Sequence, residues 1–281
     1  MQVVPVTRAE TPARRARPVH TMQVLRREQL SPNMVRLIIG GQGFDSFEPN
    51  GRTDAYCKIW FGPDGRPLDG SVSLEDLRER TDRENWPVSR TYTARWVDTE
   101  KRELAMDFVV HGTEGLAGPW AAAAQPGDPV TFGGPGGAFS PDPDADWYLF
   151  AADESALPAA AAALEALDAD AVGHALIEVD GPADELPLQV PAGITLTWLH
   201  RGGSASHGAL LTEAVGALAW LSGRVQVFSH GEREAMKALR EIFFTRHGLE
   251  RSQVSLSGYW AAGRSEDAFQ AEKKTPIGKV L

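Results

Sequence analysis

Only one cysteine, Cys57, stands in the chain. No intrachain disulfide, cysteine-ligated zinc or iron–sulfur centre can be built from it alone. Its setting within an apolar strand pattern reads as a small buried residue. No apolar run reaches the ~18 residues that cross a bilayer. The amino-terminal stretch carries arginines but no apolar core segment, so it does not read as a secretory signal, and a cytoplasmic location is expected. Positive charge is scarce: 28 Lys and Arg face 38 Asp and Glu, a net charge of −10. That balance argues against a nucleic-acid partner. It also requires any site for an anion to gather its cations locally. No Gly-x-Gly-x-x-Gly occurs, so the dinucleotide fingerprint gives no support. Neither a catalytic triad, a carboxylate pair nor a resident metal site is evident.

What is present suffices for two domains: 281 residues, 42% of them apolar. Residues 1–19, with Arg8, Arg14, Arg15 and Arg17, lack periodicity and read as a disordered arm. Short alternating runs at 22–27, 34–40, 55–61, 90–97, 103–110 and 129–133 predict six strands. Irregular connections suggest that they close into an antiparallel barrel over 20–140. The charged stretch 73–86 reads as a short helix or loop between two strands. After a Pro/Asp-rich junction at 141–146 the pattern changes. Apolar runs at 147–151, 174–179, 195–199, 225–229 and 254–258 alternate with helix-forming stretches at 156–167, 210–221 and 232–247. Such alternation over 146–281 predicts an α/β domain with a parallel sheet and ligands at the strand carboxyl ends. No internal repeat is visible.

The densest chemistry lies in Ser89-Arg90-Thr91-Tyr92-Thr93. Strand alternation puts Arg90, Tyr92 and Ala94 on one face, and Thr91, Thr93 and Arg95 on the other. A planar guanidinium suits phosphate oxygens, an aromatic plane suits a flat heterocycle, and a hydroxyl reaches a ring nitrogen or carbonyl. Flavin adenine dinucleotide (FAD) has all these parts; a half-buried strand with an ordinary ion pair is the plain alternative. Further on stand Asp107-Phe108-Val109-Val110-His111-Gly112, Gly134-Pro135-Gly136-Gly137-Ala138-Phe139, Asp153-Glu154-Ser155-Ala156-Leu157-Pro158, Gly231-Glu232 and Gly258-Tyr259-Trp260. In this order and spacing, over roughly residues 20–270, the chain resembles the siderophore-interacting protein family.

The resemblance implies a ferredoxin-reductase-like flavoprotein: an FAD-binding barrel followed by a nucleotide-binding α/β domain. It implies reduction of ferric siderophores with electrons passed from NADH or NADPH through FAD, without a catalytic acid or base. Arg90 would then pair with the pyrophosphate, Tyr92 lie against the isoalloxazine and Thr93 bond near its redox nitrogen. Val109, Val110 and His111 would line the ribityl–phosphate chain, largely through backbone groups. Ala117 and Gly118 would approach a phosphate at a helix start; the family usually has Ser or Thr where Gly118 stands. Trp120, which follows, has two readings, core packing and adenine stacking. Asp153, Glu154, Ser155, Gly231, Glu232, Tyr259 and Trp260 are the nicotinamide-nucleotide candidates. Asp153 or Ser155 also suits a helix cap. Arg201 reads either as a ligand for a 2′-phosphate or as a solvated surface residue. Lys58, Arg264, Lys273 and Lys274 are the siderophore candidates, for a hydroxamate or a catecholate. Ala261 replaces the family's usual Arg, which removes positive charge from that side. The partners implied are a ferric siderophore and, as another donor, ferredoxin; a monomer is the family-like default. Two alternative functions remain: a general flavin reductase fed by ferredoxin or flavodoxin, and a non-catalytic flavin-containing siderophore-binding protein.

Overall fold

The computed structural model describes residues 18–281 except 111, 113, 114 and 205. Most of the arm expected over 1–19, and His111, therefore lie outside the described residues. Six strands close a barrel: β1 (Val19–Ser31), β2 (Met34–Gly40), β3 (Tyr56–Phe61), β4 (Val88–Asp98), β5 (Glu103–Val109) and β6 (Pro129–Gly136), in the order β1-β2-β5-β4-β3-β6. All neighbours pair antiparallel. Period-2 alternation sends Met22, Val24, Leu37, Ile39, Ile59, Phe61 and Phe132 into one core. The 73–86 stretch forms a short helix, α1 (Leu74–Arg80), whose first turn is capped by the Ser73 hydroxyl accepting from Asp76 N. It buries no residue and stays outside the barrel. The next helix, α2 (Ala117–Ala123), buries Ala117 and Ala121 in the barrel core.

β1 extends well past the 22–27 segment expected. Its exposed outer half continues the hairpin with β2, pairing through to Ser31↔Met34. The tip has a job elsewhere. Leu30 and Met34 pack into the core of the second half of the molecule, where Asp184 accepts from Ser31 Oγ at 2.9 Å and from Asn33 Nδ2 at 3.1 Å.

That second half is a five-stranded parallel sheet of order β11-β10-β7-β8-β9. Its strands are β7 (Trp147–Asp153), β8 (Val172–Val179), β9 (Gly193–His200), β10 (Val225–Glu232) and β11 (Val254–Trp260). β7 is central and buried throughout. Tyr148, Phe150 and Ala152 join the cluster under α3 (Leu157–Glu165). Trp147, Leu149 and Ala151 join the opposite cluster, under α4 (Ala209–Ala217) and α5 (Arg233–Arg240). Two predicted helices end early. The 210–221 stretch stops helically at Ala217, and Trp220 instead stacks on His247 at 3.7 Å. The 232–247 stretch leaves the α form after Arg240 and widens over 241–246, burying Phe243 completely. A last helix, α6 (Glu266–Glu272), folds back towards the barrel. No helix among the described residues is long and apolar enough to cross a membrane.

Candidate functional site

The barrel is incompletely zipped. Pairing of β4 with β5 runs only from Ala94↔Met106 to Asp98↔Glu103, with a bulge between Ala94 and Trp96. Residues 88–93 of β4 pair with β3, and 107–109 of β5 pair with β2. A cleft of about 450 Å³ lies where the two strands part. Thr91, Tyr92 and Thr93 all line it, so the split strand offers more than one face. The Tyr92 ring tilts over Phe108 at 4.2 Å between centroids, which fixes an aromatic plane at the cleft wall. Burial pushes its hydroxyl pKa up, so it stays protonated. Thr93 is 5% exposed. Val109 lines the cleft, while Val110 N donates to Asn33 O.

Arg90 is not idle. Its two terminal nitrogens donate to the Asp267 carboxylate of α6 at 3.0 and 3.2 Å. Gly118 lies so close to the strand end that a Cβ there would sit 3.1 Å from Val109 O. Ala117 turns its methyl into the barrel core. Trp120 packs edge-on to Phe61 and Phe108, which favours the packing reading of that residue. The donor set fits FAD: a fixed aromatic plane, a buried hydroxyl and an opened strand edge in the cleft, with the Arg90 guanidinium one residue before its lining on β4.

Cations meet the cleft at Lys58 on β3 and Lys273 just after α6. Neither forms an ion pair among the described residues. Burial, and then Lys58, lower the Lys273 pKa, while Glu266 opposes the shift. Arg264 instead binds Glu272 at 2.8 Å, and Lys274 is exposed outside the lining. Sequence reading thus grouped four cations of which the cleft gathers two.

The opposite wall is the carboxyl edge of the parallel sheet, reached through Glu154, Ser155, Tyr259 and Trp260. Five of the seven nucleotide candidates meet at one carboxylate. Asp153 accepts from Ser155 N, Ser155 Oγ, Ala156 N, Glu232 N and Trp260 Nε1, at 2.9, 2.5, 3.3, 2.8 and 2.7 Å. Gly231 is required beside it: φ is +155° and a Cβ would lie 2.7 Å from Asp153 Oδ2. Burial and the neighbouring Glu154 push the Asp153 pKa up to about 6, against the pull of these donors. Ser155 therefore spends its hydroxyl on the Asp153 carboxylate and does not cap α3, whose N-cap position is Ala156 with no side-chain cap bond. Tyr259 bonds His230 Nδ1 at 3.0 Å, and Ser255 Oγ takes Nε2 at 2.9 Å. Desolvation brings the His230 pKa down to about 3, so the ring is neutral.

Sequence reading missed several partners. Arg201 is not a solvated surface residue, and its two terminal nitrogens are already taken while Nε has no partner among the described residues. It is 9% exposed and donates to both Glu154 oxygens at 2.6 Å. Burial opposes its charge, but the bonds to Glu154 outweigh that and raise its pKa. Asp107, in the cleft wall, is held by Arg36 at 2.6 and 2.8 Å. Asp267 and His230 carried no local signal; only their partners, 177 and 29 residues away, give them a role.

Comparison with known proteins agrees with this geometry. Residues 23–139 match the family model described as siderophore-interacting FAD-binding domain, and residues 145–263 match the one described as siderophore-interacting protein. An uncharacterized protein of Mycobacterium tuberculosis is 47% identical over 272 residues, covering 92% of this chain and 95% of that protein. Ferric vibriobactin reductase ViuB of Vibrio cholerae is 31% identical over 261 residues, covering 90% and 93%. The crystal structure of a siderophore utilization protein from T. fusca superposes with a TM-score of 0.77 at 35% identity, covering 88% and 94%. The architecture is the ferredoxin-reductase-like one.

Proposed function

The chain belongs to the siderophore-interacting protein family, and on that premise we propose that it is an FAD-dependent ferric-siderophore reductase. One observation carries the reading: a single cleft joins the split barrel strand, two lysines without ion-pair partners among the described residues and the carboxyl edge of a parallel sheet. A flavin ring, an anionic chelate and a nicotinamide can therefore meet there. The reading assigns flavin binding to a barrel over 20–140 and nucleotide binding to an α/β unit over 146–281. When bound, FAD supplies the conversion of two-electron reduction by NADH or NADPH into single-electron reduction of chelated ferric iron.

The side chains do the rest. Arg90 grips the pyrophosphate once Asp267 releases it. Tyr92 supports the ring plane, and Thr93 bonds at its edge. Gly118 lets the α2 start approach the Val109 and Val110 backbone and the phosphate chain. Tyr259 and Trp260 cover the ring from the sheet side, and Asp153 fixes Trp260. Lys58 and Lys273 attract the chelate against the acidic background. Ferrous iron is held far less firmly by hard oxygen chelators, so reduction releases it, in the cytoplasm on this reading.

A cuvette tests all of this in three steps. The purified protein should be yellow with noncovalent FAD. The colour should bleach under nitrogen with NADH or NADPH. Addition of a ferric hydroxamate with a ferrous trap should then restore the flavin and colour the trap. A colourless protein that takes up no FAD sinks the reading. Bleaching without trap colour would favour a general flavin reductase, and flavin without bleaching a binding protein.

A further inference from the structure

Three helices begin at the carboxyl edge of the parallel sheet, and the chain's own carboxylates occupy the first-turn amides of two of them and the loop that leads into the third. Asp153 Oδ1 takes the amides of Ser155 and Ala156, the residues just ahead of α3. Glu178, fully buried, takes Gly208 N at 2.7 Å and Leu211 N at 3.0 Å at the start of α4. Glu232 takes Glu234 N at 2.6 Å and Ala235 N at 3.0 Å at the start of α5. These are the amides that would otherwise cradle a phosphate. The glycine-containing loop after β9 is spent in the same way, since Gly203 N donates to Asp180 Oδ1 at 2.9 Å.

The cations of the edge are committed too. Arg201 is bound bidentately by Glu154 and lies 3.5 Å from Glu178. Arg233 is held by Glu234 and Glu272. Releasing Arg201 to a ligand would strand a buried carboxylate, which costs more than a surface pair returns.

We propose that this edge selects NADH over NADPH, with Glu154 and Glu178 as the residues that set the preference by occupying Arg201. The proposal rests on the reading that a nicotinamide nucleotide reduces the flavin at this edge. A 2′-phosphate adds roughly −1.5 to −2 charges at neutral pH. Here it meets the exposed Asp180, with Glu154 and the buried Glu178 behind it, and the guanidinium beside them, Arg201, is already paired with Glu154. NADH carries its adenosine ribose without that group and escapes the repulsion.

The test uses the flavin-loaded protein. Stopped-flow bleaching gives kcat/KM for NADH and NADPH, and flavin fluorescence follows binding of NAD⁺ and NADP⁺, which cannot reduce it. NADH should win by about tenfold or more, and NADP⁺ should bind more weakly than NAD⁺. Glu154→Gln, which loosens Arg201, should narrow the ratio several-fold through the NADPH arm. Asp180→Asn, at an exposed carboxylate that breaks no buried pair, should narrow it less. Added salt should narrow it in wild type, because Asp180 is screened by solvent. Equal or better use of NADPH by wild type overturns the proposal. So does an unchanged ratio in both variants. If neither nucleotide bleaches the flavin, yet dithionite-reduced protein still reduces a ferric hydroxamate, the nucleotide preference falls and the ferric-reductase reading stands. Failure of that last step as well removes the reading itself.

Discussion

A pyrophosphate that takes the terminal nitrogens of Arg90 must displace Asp267 from them, and that exchange fixes two opposite mutational effects. The guanidinium is 14% exposed and the carboxylate 66% exposed. An ion pair so open on one side is screened, and its net worth is about 0.2–1 kcal/mol. Asp267→Ala removes that competitor and should tighten FAD binding by about 1.4- to 5-fold. Arg90→Ala removes the fork itself. Charge-assisted bonds to a phosphate are worth about 1.5–3 kcal/mol, so the dissociation constant should rise by about 10- to 150-fold. The double variant should resemble Arg90→Ala alone, because Asp267 has nothing left to hold. Flavin fluorescence titration of apoprotein from acid–salt treatment measures all three constants. Flavin that stayed with the precipitated protein would mean covalent attachment. Weaker FAD binding in Asp267→Ala would show that the carboxylate orients Arg90 and does not compete for it. An unchanged constant in Arg90→Ala would remove that residue from the site altogether.

Lys58→Ala should raise the Michaelis constant for an anionic ferric catecholate and hardly affect a neutral hydroxamate, and the wild-type preference should shrink as salt rises past the ~8 Å screening length. Because Ala261 supplies no charge, that preference should be modest; equal losses on both substrates without salt dependence would mean that Lys58 acts through barrel packing. His230 titrates near 3 in the folded chain against 6.5 for a free imidazole. Between those values the unfolded chain holds the extra proton, so stability is full above about pH 6.5 and drains on acidification by about 1.4 kcal/mol per unit. His230→Gln should lose about 2 kcal/mol less than wild type between pH 6.5 and 5 in urea melts, whereas parallel pH profiles would deny His230 that role. The raised Asp153 value works in the opposite sense, losing stability as pH rises towards about 6, but it is common to both proteins. Gly231→Ala should cost about 2–3 kcal/mol in the same melts and slow bleaching by nucleotide, since its methyl displaces the Asp153 carboxylate; full retention of both would show that the strand end yields.

The barrel and the sheet were legible because burial imposes a period, and a period of two or a run of apolar residues survives in the sequence whatever the partner. All eleven strands start within a few residues of where alternation or apolar runs place them, except that β1 runs on as an exposed hairpin whose tip is buried only by the second half. Helix ends were less readable. Leu218 and Trp220 continue an apolar helical pattern, but Trp220 is claimed by His247 and Trp147 across the core. Tyr92, Thr93 and Val109, which line the cleft, were legible as candidates because each lies in a short local strand motif. The commitments of Arg90, Arg201 and Glu178 were invisible, because each is made to a residue distant in sequence. A guanidinium next to a glycine pair looks the same on the page whether it faces water or is locked under two carboxylates.

The tip of the β1–β2 hairpin is anchored in the other half by Leu30, Met34 and the bonds to Asp184, and Arg95 reaches across to Glu165 beside it. Moving an electron across a cleft is slowed by every dipole and side chain that must rearrange when the charge leaves. Walls fastened from both halves have few rearrangements available at low cost. The seam therefore acts on rate through reorganisation, without touching the reactants. Loosening it at Asp184 would open no new path for the electron; it would widen the set of shapes that the cleft must leave before the electron can go.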